Sequence, residues 1–180
     1  GGEATYRTHV RVTSQTPGNV VVGWGYNSHG QTAAQLAVQN PVSVSAGGRF
    51  SVLLRADCTL LHWGLNGFPI AVEIPSDARD IVAVSSGNLA LALRADGKIL
   101  SWAHRHDSPP SIPSDLRDLV DVAVGLDGQP FGLRSDGTVV GLSYPNLNPL
   151  PGVSGITALA VGSGHSLALK SDGTVVAWGS

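Results

Sequence analysis

Short apolar runs separated by polar turns recur along this 180-residue chain at a nearly constant distance. The segments FSVLLR, LALALR, PFGLR and HSLALK begin at residues 50, 89, 130 and 165, and small residues precede them. An Asp-centred turn and a second apolar run follow each segment. Asp-Gly is a strong signal for a two-residue hairpin turn, because both residues tolerate positive φ. Each copy therefore predicts a β-hairpin.

Two independent landmarks measure the same repeat. The turn aspartates are spaced by 39, 40 and 36 residues: Asp57, Asp96, Asp136 and Asp172. The last strand of each copy has a Trp, or Leu in one case, at intervals of 39, 39, 40 and 36 residues: Trp24, Trp63, Trp102, Leu142 and Trp178. The chain thus divides into five units, approximately residues 1–40, 41–80, 81–118, 119–155 and 156–180.

The repeat predicts an all-β fold of a particular kind. Each unit continues from its Trp strand through a polar or Pro-bearing loop into another short apolar piece, which gives three to four strands. A lone hairpin cannot bury two faces, so the units are expected to stack radially as a β-propeller, with the Trp side chains between sheets. About five short-repeat blades would form a closed five-bladed ring or an arc of a larger ring. The glycine clusters at 46–48 and 162–164 indicate tight packing rather than phosphate binding.

Composition narrows the function classes. The chain is 42% apolar and 13% charged, with 23 Gly and 11 Pro, as in a globular protein of strands and turns. A net charge of −2 with scattered Arg residues disfavours nucleic acid. No apolar run approaches eighteen residues, which disfavours membrane insertion. The single Cys58 replaces a turn Gly, at some strain or with a change of turn type. A start without Met suggests a trimmed or mature segment.

Catalytic chemistry is weakly represented. His165 is predicted to be a buried core residue, and the repeating aspartates are explained by turn formation. The triplet His104-Arg105-His106, with Asp107, could begin a metal site, but the Arg disfavours a cation and a polar contact loop is the preferred interpretation. Ser51 and Ser166 lack a nucleophile-elbow pattern. We therefore predict no catalytic residues, no bound metal and no cofactor.

The residues that do not repeat are the informative ones for binding. Equivalent loops of a propeller lie on one rim, and Tyr, Phe and Arg are enriched at binding hot spots. The predicted partner-binding residues follow the Trp strands: Tyr26, Asn27, His29, Asn66, Phe68, His104, Arg105, His106, Tyr144 and Asn146.

Two segments carry a family resemblance. GSGHSLALKSDGTVVAWG at 162–179 resembles the repeat of the regulator of chromosome condensation family, especially its short-repeat bacterial branch. WGYNSHGQT at 24–32 resembles that branch's loop and outer strand. Members usually close a ring of about seven blades, with the N-terminal piece completing the last blade. The resemblance implies that residues 1–7 could close onto the last Trp strand.

The expected function is a non-enzymatic module that binds a protein partner, or else a glycan, through its rim loops. The resemblance to bacterial propellers that inhibit β-lactamases gives an inhibitor as an alternative, although Phe50 is the only aromatic residue in the relevant loops. Carbohydrate binding, an enzyme built on His29, His104, His106 or Asp107, and nucleotide exchange are further alternatives. An incomplete ring would favour a homo-oligomer. The resemblance suggests a secreted or cell-surface protein.

Overall fold

The computed structural model describes residues 8–13, 20–33, 38, 40–64, 74–103, 110–113, 116–143 and 150–180. These residues form fourteen strands and no helix, which confirms the all-β prediction. The strands are β1 Thr8–Thr13, β2 Val20–Gly25, β3 Pro41–Ala46, β4 Phe50–Arg55, β5 Leu60–Gly64, β6 Ile81–Ser86, β7 Leu89–Arg94, β8 Ile99–Ala103, β9 Leu119–Val124, β10 Pro130–Arg134, β11 Val139–Gly141, β12 Ile156–Val161, β13 His165–Lys170 and β14 Val175–Gly179.

The strands form five antiparallel sheets in chain order. Sheet 1 contains β1 and β2, and sheets 2 to 5 contain three strands each, with the middle strand of the sequence also in the middle of the sheet. Sheet 2 is β3-β4-β5, sheet 3 is β6-β7-β8, sheet 4 is β9-β10-β11 and sheet 5 is β12-β13-β14. The predicted hairpins are the last two strands of each sheet.

The hairpin turns differ in detail from the prediction. The Asp of each turn does not adopt positive φ; the following residue does, as in Gly97 at 84° and Cys58 at 62°. Each turn carboxylate instead accepts a hydrogen bond from the backbone N–H two residues on, for example Thr59 N to Asp57 Oδ1 at 3.1 Å. The bond from Cys58 N to Arg55 O matches that from Gly97 N to Arg94 O, so Cys58 keeps the Gly turn and its less favourable backbone conformation.

Successive sheets pack face to face. In each sheet we call the face toward the next sheet the leading face and the opposite one the trailing face. Leu91 and Leu93 on the leading face of sheet 3 contact the trailing face of sheet 4, which presents Val122, Val140 and Leu142. The same arrangement joins the other sheets in chain order. Apolar residues alternate with one another, rather than with polar residues, because both faces of an inner sheet are covered.

Backbone contacts between sheets are equally close at one end. A methyl group on Gly87 would overlap the carbonyl oxygen of Gly125, and Gly47 and Gly125 stand in the same relation to Gly87 and Gly162. The amide of Val124 also donates to Ser85 Oγ of the preceding sheet at 3.0 Å. The prediction that glycine serves tight packing here is confirmed at Gly47. Only glycine permits this approach without moving the backbone.

The two ends of the series correct two predictions about the core. Trp102 is 5% exposed, and Trp63 and Trp178 pack against sheet neighbours as expected, but Trp24 on sheet 1 is 47% exposed. His165 on sheet 5 is exposed rather than buried, whereas Phe50 and Leu89 at equivalent positions are buried. The reason is the same in both cases, because among the described residues no comparable packing joins the last sheet to the first.

Candidate partner-binding rim

One end of the sheets gathers the loops that were predicted to bind. Segment 26–33 leaves β2 there, beside the turns at 47–49, 87–88, 125–129 and 162–164 that follow the first strand of each later sheet. We call this end the rim. The Asp turns lie at the opposite end, because each strand reverses the direction of the one before it.

Segment 26–33 is held by its own polar groups. The Asn27 side-chain oxygen accepts a hydrogen bond from Thr32 N at 2.9 Å, and the Asn27 carbonyl accepts one from Gly30 N at 3.1 Å. A side chain on Gly23 would overlap the Thr32 carbonyl, so the segment folds back tightly on β2. Asn favours such turns because its short amide can replace a backbone partner.

Gln31 fastens this segment to sheet 2. Its side chain is fully buried, accepts from His29 N at 2.9 Å and donates to the Gly48 carbonyl at 3.0 Å. The Gln31 carbonyl accepts from Ser51 Oγ and from Trp63 Nε1, both at 2.9 Å. A buried polar group that makes all of its hydrogen bonds specifies one position for the loop. Ser51 is therefore explained as a structural residue.

The fastened segment presents a small exposed surface. Tyr26 and Asn27 are exposed, His29 is half-buried, and the Tyr26 and His29 rings lie 6.4 Å apart between centroids at an angle of 57°. Ser28 Oγ lies 2.7 Å from His29 Nδ1. Tyr and His each combine an apolar ring with a polar tip, so the surface suits contact with a mixed protein surface. The structure thus brings together three of the predicted residues.

The remaining predicted residues lie outside the described part of the chain: Asn66, Phe68, His104, Arg105, His106, Tyr144 and Asn146. Their contribution to the rim stays a prediction, as does the alternative metal site at His104, His106 and Asp107. Within the described ranges, no group of three or more His, Cys, Asp or Glu side chains could hold a metal ion. The same part of the chain has no helix that could cross a membrane.

Sequence reasoning missed other residues on the rim. Arg49, Leu126 and Asp127 are exposed in the turns between the first and second strands of their sheets. A methyl group on Gly48 would lie 2.8 Å from the Leu126 side chain, which therefore covers the turn of sheet 2. Asp127 Oδ2 accepts a hydrogen bond from Gly164 N at 3.2 Å. Their signal was departure from the small-residue pattern of these turns, whereas Gln31 was signalled only by its place in GQT.

Charges at the Asp-turn end are largely compensated locally. Lys98 Nζ lies 2.6 Å from Asp77 Oδ2, and Arg94 lies 2.8 Å from Asp96. The Lys98 hydrogen bond holds the pKa of Asp77 below its usual value. The Thr174 hydroxyl and amide similarly lower the pKa of the Asp172 carboxyl. These carboxylates serve turns and ion pairs, and the prediction that the repeating aspartates form turns is confirmed.

Sequence comparison identifies the repeat. The profile described as Regulator of chromosome condensation (RCC1) repeat matches residues 156–180. The protein pim1 of Schizosaccharomyces pombe is 28% identical over 169 residues, an alignment that covers 84% of this chain and 29% of pim1. The chain therefore spans less than a third of the length of this relative.

Solved structures share the fold. Human WBSCR16 superposes with a TM-score of 0.68 at 16% identity, covering 96% of this chain and 62% of that one. Prp20p from Saccharomyces cerevisiae, whose structure was described with its binding properties to Gsp1p and histones, gives 0.59 at 18% identity and covers 78% and 44%. With the repeat match and the stacked sheets, these likenesses show that the chain is a β-propeller of the regulator of chromosome condensation repeat type.

Proposed function

We propose that the chain is a non-enzymatic binding module that presents its rim to a protein partner. The observation that supports this most directly is the fastening of segment 26–33 by Gln31, which fixes Tyr26 and Asn27 on the surface before any partner arrives. A loop that is already ordered loses little conformational entropy on binding. An aromatic side chain held in this way is a suitable hot-spot residue.

The similarity to Prp20p adds support of a different kind. That protein is described as binding Gsp1p and histones. This shows that the fold can serve protein recognition, and the partner of the present chain remains to be identified by its contact with the rim. The glycan and β-lactamase alternatives predict different ligands for the same surface.

Affinity capture with the intact chain tests the proposal. Wild type, Tyr26→Ala and Val42→Ala would each be immobilised and exposed to extract from the source cells, and a captured protein would then be purified and titrated. Tyr26→Ala should weaken binding of that protein about tenfold or more, as removal of a hot-spot aromatic does. Val42 is exposed at the other end of the sheets, and its substitution should leave the affinity unchanged.

Two results would contradict the proposal. Equal affinity of wild type and Tyr26→Ala would show that binding does not use this rim segment. Binding of a glycan array, or stoichiometric inhibition of purified serine β-lactamases, without capture of any protein by the rim would favour an alternative.

A further inference from the structure

The leading face of sheet 5 is an exposed apolar surface. Strand pairing places Ala160 opposite Leu167, and Leu169 opposite both Ala158 and Val175, so these side chains share one face. Leu167 is 40% exposed and Leu169 is 41% exposed. Six residues form this face, and all are apolar and exposed: Ala158, Ala160, Leu167, Leu169, Val175 and Ala177. A contiguous apolar patch of this kind marks a contact site.

The repeat shows what kind of surface covers such a face. Leu91 and Leu93 occupy the equivalent positions in sheet 3, and both are fully buried. The residues that cover them lie on the trailing face of sheet 4 and include Val122, Val140 and Leu142. The partner that fits sheet 5 is therefore another trailing face, with branched apolar side chains on its first and last strands.

The chain carries one such trailing face at its other end. By the repeat spacing, Val22 and Trp24 of sheet 1 correspond to Val140 and Leu142 of sheet 4. Val22 is 46% exposed, and Trp24 is exposed to a similar extent. Both positions are buried where a preceding sheet packs on them, as Leu100 and Trp102 show in sheet 3.

We propose that the leading face of sheet 5 binds the trailing face of sheet 1 in a second copy of the chain. The contact continues across two molecules the stacking that joins successive sheets within one molecule. Neither set of residues contains a charge, so no unpaired charge is buried. Because the two faces differ, the association is head-to-tail and can extend beyond two copies. It uses surfaces other than the rim, so it stands independently of the proposed function.

Light scattering and sedimentation velocity on the 180-residue chain test this proposal. The wild-type mass should rise with concentration above that of one chain. Leu167→Glu with Leu169→Glu blocks the leading face, and Val22→Glu blocks the trailing face. Each should weaken association about 100-fold, because a carboxylate would be buried in an apolar contact. The matched control is Val82→Glu with Val120→Glu, on exposed strand bulges, which should associate like wild type.

A mixing experiment distinguishes head-to-tail pairing from any symmetric contact. The leading-face and trailing-face variants, each monomeric alone, should form a dimer and nothing larger when mixed in equal amounts, because one intact pair of faces remains. Formation of that dimer also shows that both variants are folded. If the Glu variants do not fold, the milder Leu167→Ser should still weaken wild-type association about tenfold.

Three outcomes overturn the proposal. The first is a wild-type mass of one chain at every concentration, which includes closure of sheet 5 onto sheet 1 within a single molecule. The second is association that neither blocked face weakens. The third is a mixture of folded variants that stays monomeric, which would show that the two faces do not bind each other.

Discussion

Sheet 3 and sheet 5 have the same strand order and nearly the same sequence, but they differ in environment. LALALR in sheet 3 and HSLALK in sheet 5 each form the central strand, with the same pairing to both neighbours. Every apolar residue of the first strand is buried, whereas Leu167 and Leu169 of the second are exposed. The local sequence thus determines the sheet, and the presence of a neighbouring sheet determines whether its face becomes core.

Replacing one leucine in each sheet should give the largest contrast. Leu91→Ala removes a fully buried side chain and leaves a cavity, so we expect a loss of about 2–5 kcal/mol in the free energy of unfolding. Leu167→Ala removes a side chain already in contact with water and should cost less than about 1 kcal/mol. Urea denaturation of both variants below the concentration of association measures the difference. Equal losses would mean that the face of sheet 5 is covered within the monomer.

The glycines at the rim end offer a second contrast. An added methyl on Gly87 would meet the backbone of sheet 4, whereas on Gly162 it would meet only the ring of His165, 2.8 Å away. Backbone cannot move as easily as an exposed side chain. Gly87→Ala should therefore cost about 1–3 kcal/mol, and Gly162→Ala less than about 1 kcal/mol.

Thermal and urea unfolding of the two glycine variants would measure this difference. Gly97→Ala serves as a control, because it has space around it and is disfavoured only by its positive φ. A larger loss at Gly162 than at Gly87 would contradict the view that sheet 5 ends the described series.

The same contrast explains which features the sequence could predict. The hairpins, their spacing and the role of Asp172 follow from local chemistry, and the structure confirms them. The exposure of Trp24 could not be predicted, since its sequence context resembles that of Trp63, which is packed between sheets. His165 was misassigned to the core for the same reason. Burial in a repeat protein depends on neighbours at long range, and a periodic pattern is the same whether a neighbour is present or not.

The candidate site was predictable to a smaller extent. Tyr26 and Asn27 were identified because they depart from the repeat, and the structure places them together on the rim. The role of Gln31 was not predicted, because it depends on contacts with Gly48 and Trp63 in the next unit. Such contacts between distant segments leave no periodic trace in one sequence.

Two aspartates extend the comparison to pH. Asp121 is half-buried on the first strand of sheet 4, and burial raises the pKa of its carboxyl although Val122 N donates to it at 2.8 Å. Asp172 lies in the exposed turn of sheet 5, where hydrogen bonds from Thr174 lower the pKa. The two groups should therefore change the stability of the protein with pH in opposite directions.

The sign follows from proton linkage. A raised folded-state pKa means that the folded protein holds its proton more tightly, so the contribution of Asp121 to stability falls as pH rises from the unfolded-state pKa through the higher folded-state pKa. Asp121→Asn should therefore be more stable than wild type near pH 7, with the advantage shrinking toward about pH 3. Asp172 contributes stability above its unfolded-state pKa and loses it as pH falls, so Asp172→Asn should be slightly less stable near pH 7. Urea unfolding across this range measures both differences. A gain at Asp121→Asn that is independent of pH would assign its effect to packing rather than to the buried charge.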